Sequence, residues 1–231
     1  MKLWRTTTVA IAFATAIASA GCVRTSDGFP VAVSNSAANS PSRPGMATPS
    51  TDNDQAPPGV LRTTQVPVPV DAVTCAPPAK SAVMVTAAVS DPEAPDVTVA
   101  VPPGWSTSPG SGDIGARLHG PDGLSATVTI AATQLDAATA FRNYTDVLMA
   151  QSAVSTVSIV PGELCGYSGQ KLMGAWSDTP QNSIEFTDRI VHVWTNTKNY
   201  LVSVHVQAPT GVPGLDAAAE LLTQDFEVRQ P

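Results

Sequence analysis

The sequence predicts an α+β domain, an antiparallel sheet with helices packed on it, and three observations carry that prediction. Two β-rich runs, residues 184–194 and 200–206, flank the polar stretch Thr195-Asn196-Thr197-Lys198-Asn199, the pattern of a hairpin with a five-residue loop. Ahead of them, Phe141, Tyr144 and Leu148 recur at helical spacing behind Asp136, a residue suited to an N-cap. Beyond them, Leu215, Ala218, Ala219 and Leu222 form one apolar face of a second helix, introduced by Pro213 and Gly214. A chain that runs strands, helix, strands, hairpin, helix packs most economically with its helices against one antiparallel sheet.

The elements follow in order. Val97, Val99 and Val101 alternate with polar or small residues until Pro102-Pro103-Gly104, a half-buried strand entering a turn, with Trp105 expected over the edge of the core. Ala126, Val128 and Ile130 alternate with Thr127 and Thr129 in a second strand. The helix behind Asp136 includes Val147 and extends to about Gln151. Val157 and Ile159 begin a further strand that Pro161-Gly162 interrupts, and residues 172–176 form another after the turn at Gly166 to Gly169.

Composition limits what surrounds this domain. Charged residues are 13% of the 231, well below the usual quarter, and the formal net charge is -7, so nucleic acid and anionic headgroups are repelled. No apolar run of membrane-spanning length occurs outside the N-terminus. From Val23 to about Gln65 the chain is rich in Ser, Pro, Asn, Asp, Thr and Ala and lacks helical or strand period, which reads as a disordered tether. Such a tether places a single globular domain, residues 66–231, about 35 Å from its start on average.

The N-terminus explains the tether. Lys2 and Arg5 precede an apolar stretch from Thr6 to Ile17, and Ser19-Ala20-Gly21-Cys22 follows, which reads as a signal peptide over residues 1–21. Gly21-Cys22 resembles a bacterial lipobox, with Ser19 in the position usually held by Leu; lipid, palmitate among its acyl chains, is expected on Cys22. Ala18-Ser19-Ala20 offers the alternative of ordinary secretory cleavage before Gly21. Cysteine arithmetic favours the lipid: three cysteines in an oxidising compartment leave one over, and lipidating Cys22 leaves Cys75 and Cys165 to form a structural disulfide.

Motifs that carry chemistry are sparse. Gly110-Ser111-Gly112-Asp113-Ile114-Gly115 spells the dinucleotide fingerprint but leads into no helix, so it is read as a loop and no cofactor is expected. Gly166-Tyr167-Ser168-Gly169-Gln170 approaches a nucleophile elbow, with Gln170 where the last glycine belongs. Ser168, Asp188 and His205 stand in the order of α/β-hydrolases, yet two of them share one hairpin. His192 and His205 match no ligand spacing and read as strand-surface residues; no metal site is expected. Arg189 is placed across the hairpin from His205 or its neighbours, to orient an anion or shield the sheet with its stem. Trp176, Trp194 and Tyr200 line a groove or close the core.

Taken together, the strand ending in Pro102-Pro103-Gly104-Trp105, the helix after Asp136, the Gly166-Tyr167 turn, and Asp188-Arg189-Ile190-Val191 followed by Tyr200-Leu201-Val202 resemble the mycobacterial LpqN/LpqT-type lipoproteins over about residues 92–228. The resemblance implies a PsbP-like α/β/α sandwich and a lipid-anchored protein of the mycobacterial cell envelope, in a family with no assigned biochemical role. The expected Cys75–Cys165 bridge departs from the family pattern. The functional expectation is a non-enzymatic binding or adaptor domain on the extracytoplasmic side of the cell membrane, with a protein, glycan or lipid partner and no nucleic acid. Its alternatives are a carrier of an apolar ligand between sheet and helix, and a serine hydrolase centred on Ser168; secretion is the alternative to anchoring.

Overall fold

The computed structural model describes residues 56–62, 65–76, 83–179 and 181–231; the leader, Cys22 and most of the tether lie outside them. In chain order the elements are β1 (Val73–Cys75), β2 (Met84–Ala87), β3 (Asp96–Ala100), β4 (Ser106–Pro109), β5 (Ile114–His119), β6 (Ser125–Thr133), α1 (Ala137–Met149), β7 (Val154–Pro161), β8 (Ser168–Ser177), β9 (Ser183–Trp194), β10 (Asn199–Pro209), α2 (Leu215–Leu222) and β11 (Glu227–Arg229). The class is α+β, and every strand pairing is antiparallel. Seven strands form one sheet in the order β4-β5-β6-β10-β9-β8-β7, and four form a second in the order β1-β11-β3-β2. The second sheet is a departure from the single sheet expected. Apart from β3, its strands are three or four residues long, too short for alternation to show.

The large sheet is covered on both faces by different means. On β10, Tyr200, Val202, Val204 and Val206 are fully buried and join Val97, Val99 and Val228 of the small sheet and Leu215, Ala219 and Leu222 of α2 in the main core. The alternate residues of β10, from Leu201 through Ser203 and His205 to Gln207, face the other way, because successive side chains point to opposite sides of a strand. There α1 supplies the cover. Asp136 accepts from the Thr139 amide and caps it, while Phe141 and Leu148 pack with Leu172, Phe186 and Ile190. Burial of each of those two side chains stabilises the attachment by about 2 kcal/mol.

Helix α1 packs chiefly on β7, β8 and β9, with Leu201 of β10 at the edge of its cluster. Beside it the same face of β5, of β6 and of β10 from Ser203 to Gln207 borders a cleft.

Two local features decide what lies on that face. Thr195 N donates to Lys198 O, closing a four-residue loop in place of the five expected, and Trp194 pairs with Asn199. In addition, residues 57–61, which composition assigned to the tether, are docked. Gly169 N donates to Gly59 O, Gln170 Nε2 to Pro58 O and Leu61 N to Ser168 Oγ, and Val60 joins the core beneath α1. This Pro-Pro-Gly-Val-Leu stretch orders here because the end of β8 satisfies its backbone groups and Val60 is partly buried. Gly59 has φ 72°, and a Cβ there would lie 1.8 Å from the Gly169 carbonyl oxygen, so only glycine permits the approach.

Cys75 of β1 and Cys165, in the turn before β8, form a disulfide with Cα atoms 5.5 Å apart. Around it Tyr167 Oη donates to Thr74 Oγ1 and Gln230 Nε2 donates to Tyr167 Oη, so the small sheet is tied to the large one by bond and network together. The segment Gly110 to Asp113 is the turn of the β4–β5 hairpin, and Gly115 lies within β5. Trp105 packs against the main core, as its place after Pro-Pro-Gly suggests.

Candidate functional site

The register of the hairpin builds the site. With Trp194 opposite Asn199, Asp188 of β9 stands directly opposite His205 of β10, and His205 in turn stands opposite Thr127 of β6, which faces Arg117 of β5. These four residues form one row across the open face.

Asp188 is fully buried, and both of its oxygens are used. His205 Nδ1 lies 2.5 Å from Oδ1, and Tyr144 Oη, reaching down from α1, donates to Oδ2 at 2.9 Å. The second ring nitrogen, His205 Nε2, lies 3.0 Å from Gln207 Oε1. Both nitrogens therefore meet oxygen acceptors, the arrangement of a charged imidazolium with both N–H groups donating. Burial opposes that charge. The Asp188 carboxylate, by hydrogen bond and by charge, together with Gln207, outweighs burial and holds the His205 pKa above the ordinary 6.5. Burial, and then the nearby Asp188 charge, push the Tyr144 phenol well above 10, so it stays a donor. Trp176 stacks on His205 with ring centroids 5.6 Å apart and interplanar angle 5°, and on Phe186 at 4.7 Å.

A group whose folded pKa is raised adds stability that is complete below its unfolded pKa and disappears as pH rises through the folded value. His205→Gln is therefore expected to destabilise most below pH about 6.5, with the difference from the parent shrinking as pH climbs. Urea midpoints of both proteins from pH 6 to 9 measure it; a pH-independent difference would disprove the linkage. His192 acts oppositely, since burial, against the pull of the Leu135 carbonyl and Asp136, lowers its pKa, so comparing the two proteins isolates His205.

Above this row lies an open cleft of about 370 Å³ between α1 and the uncovered strands. Arg117, Thr127, Thr129, Ser203, His205 and Gln207 line it from the sheet, Tyr144, Val147 and Leu148 from the helix, and Gln151 from the turn that follows it. Arg117 is half-buried and makes no ion pair or side-chain hydrogen bond among the described residues.

Other sequence candidates fall elsewhere. Ser168 is fully buried at the strap, its Oγ accepting from Leu61 N, and pairs with His192. It stands four residues, roughly 13 Å, along β8 from Leu172, the residue in the row of Asp188 and His205, so the triad reading fails on geometry. His192 is buried, not on a strand surface, with Nε2 3.0 Å from the Leu135 carbonyl. Of His205 and its neighbours, Arg189 faces Val204, on the main-core side, where it donates to Glu163 O and Thr223 O and pairs with Asp225 at 3.2 Å. Tyr200 is in the core, with its hydroxyl on Asp91. Trp194 lines a second hollow of about 300 Å³ with Arg62, Tyr167 and His192. No group of three or more His, Cys, Asp or Glu residues able to hold a metal ion occurs among the described residues. Tyr144, Arg117 and Gln207 went unremarked as site residues in the sequence, for each is an isolated polar position on an otherwise ordinary amphipathic element.

Fold and site together define an α+β domain whose central sheet is half covered by a helix, with a polar cleft over the uncovered half. Among solved structures, that of LpqN of Mycobacterium tuberculosis, described as involved in cell envelope biogenesis, shares this fold with a TM-score of 0.51 at 14% identity, covering 63% of this chain and 90% of that one. The chain thus has an LpqN-like fold. No protein-family model matches its sequence, and no curated protein matches it either.

Proposed function

We propose that this chain is a lipid-anchored binding protein of the cell envelope, held through Cys22 on the extracytoplasmic side, and that its ligand sits in the cleft between α1 and β10, β6 and β5. The carrying observation is the built floor of that cleft, in which buried Asp188 fixes His205 and Tyr144 at 2.5 and 2.9 Å. The leader, the lipobox-like Gly21-Cys22 and the shared fold with a protein described as involved in cell envelope biogenesis support the location. Non-catalytic binding accounts for the geometry better than hydrolysis, because both nitrogens of His205 are engaged and the Ser168 hydroxyl serves the strap. A polar ligand accounts for it better than an acyl chain, since hydroxyls, amides and a guanidinium line the sheet side.

Fractionation and footprinting of the whole protein test both halves. The parent chain is expected in the membrane fraction and its Cys22→Ala variant in the soluble fraction. Adding envelope extract to the soluble variant is expected to slow amide exchange around Thr127, Ser203 and His205, and Thr129→Trp, which fills the cleft, to abolish that protection. Retention of the Cys22→Ala chain refutes the anchor; protection that survives Thr129→Trp refutes the cleft.

A further inference from the structure

We infer that the cleft selects an oxyanion, a carboxylate or phosphate group carried by a hydroxylated ligand, with Arg117 as the residue that binds its charge; this rests on the reading of the cleft as the binding site. Three observations converge. Asp188 is the carboxylate of the row, and it lies fully buried beneath His205 with both oxygens taken, so imidazolium and carboxylate cancel as a pair. No Asp or Glu lines the cleft itself. Arg117 is thus the one uncompensated charge on its wall, a cation kept free in a chain whose formal net charge is -7.

Three other cations of the domain are paired. Arg189 pairs with Asp225, Lys198 with Asp91 and Glu93, and Arg229 with Glu227. Arg117, like Arg62, Arg142 and Lys171, makes no ion pair among the described residues; what sets it apart is that it is the cation on the wall of this cleft, half-buried there, with a planar fork suited to two oxygens of one anion.

The spacing fits a small anion. Arg117 and His205 stand on β5 and β10 with Thr127 of β6 between them, two strand separations or roughly 10 Å across the sheet. The Thr127 hydroxyl stands at the centre of that span, and those of Thr129 and Ser203, one step along the same face, are able both to donate to an anion and to meet sugar or polyol hydroxyls. Gln151, in the turn just after α1, adds an amide from the opposite wall.

The test is titration of the full chain carrying Cys22→Ala with inorganic phosphate and with acetate, followed by amide chemical shifts, beside vesicles of phosphatidylglycerol and of phosphatidylcholine. Saturable shifts confined to Arg117, Thr127 and His205 are expected, weakened about tenfold or more in Arg117→Gln, which removes a charge-assisted pair while leaving the spectrum otherwise folded. Response to the free ions assigns a soluble oxyanion, and response to phosphatidylglycerol alone a lipid headgroup; either supports the inference. Absence of any saturable shift at the cleft, or an Arg117→Gln protein that binds as the parent does, overturns it. If envelope extract still protects the cleft in that event, the binding-site reading survives and only the anion is lost.

Discussion

Asp188→Ala is expected to lower the stability of the domain by about 3 to 5 kcal/mol, the cost of breaking a buried charge pair from one side. The carboxylate is fully buried, and its removal leaves the Tyr144 hydroxyl without an acceptor and a charged His205 without its counter-ion, beneath Trp176. Domains of this size are stable by about 5 to 15 kcal/mol, so the variant stands at the edge of unfolding at physiological temperature. Tyr144→Phe takes the donor from one oxygen of the buried carboxylate and is expected to cost about 1.5 to 3 kcal/mol. Urea unfolding at pH 6 ranks the two, and Asp188→Ala combined with His205→Gln is expected to cost less than the sum of the singles, since the two groups meet directly. Additivity would show that the pair does not act as one.

The second large effect belongs to the disulfide. Cys75 and Cys165 are separated by 90 residues, and the chain-entropy account assigns about 4 to 5 kcal/mol to a loop of that length. Replacing both by Ala is expected to lower the urea midpoint accordingly, and reductant to produce the same shift in the parent. Equal stability of the bridged and unbridged proteins would mean that the Tyr167, Thr74 and Gln230 network holds the two sheets together unaided.

The legible parts of the fold are those whose apolar period runs long enough to repeat. The β9–β10 hairpin, α1 with its Asp136 cap, β3, β6 and α2 all meet that condition. The small sheet does not: β1 and β11 have three residues each, and their pairing depends on contacts between opposite ends of the chain, which no local pattern encodes.

The site turned on a single residue of register. A five-residue loop pairs Trp194 with Tyr200 and sets Arg189 against His205; the four-residue loop closed by Thr195 and Lys198 pairs Trp194 with Asn199 and sets Asp188 there instead. A shift of one flips every side chain of a strand to the other face, so a sequence that sets Arg189 against His205 or its neighbours names the right hairpin and leaves open which residue of β9 meets the imidazole. The strap was hidden for another reason. Its hydrogen bonds are made by backbone groups, to which composition is blind.

The strap and the disulfide also fix how the domain carries mechanical load. A pull on its N-terminal end first meets the bonds of Pro58, Gly59 and Leu61 to the end of β8, a short clasp that yields on its own. Once it yields, the chain pays out only to Cys75, where the covalent path crosses to Cys165. Everything between them, α1 and strands β2 to β7, lies off the line of force. Tension delivered to the large sheet enters just before β8, leaving Arg117, Thr127 and Tyr144 inside a loop that cannot be drawn straight.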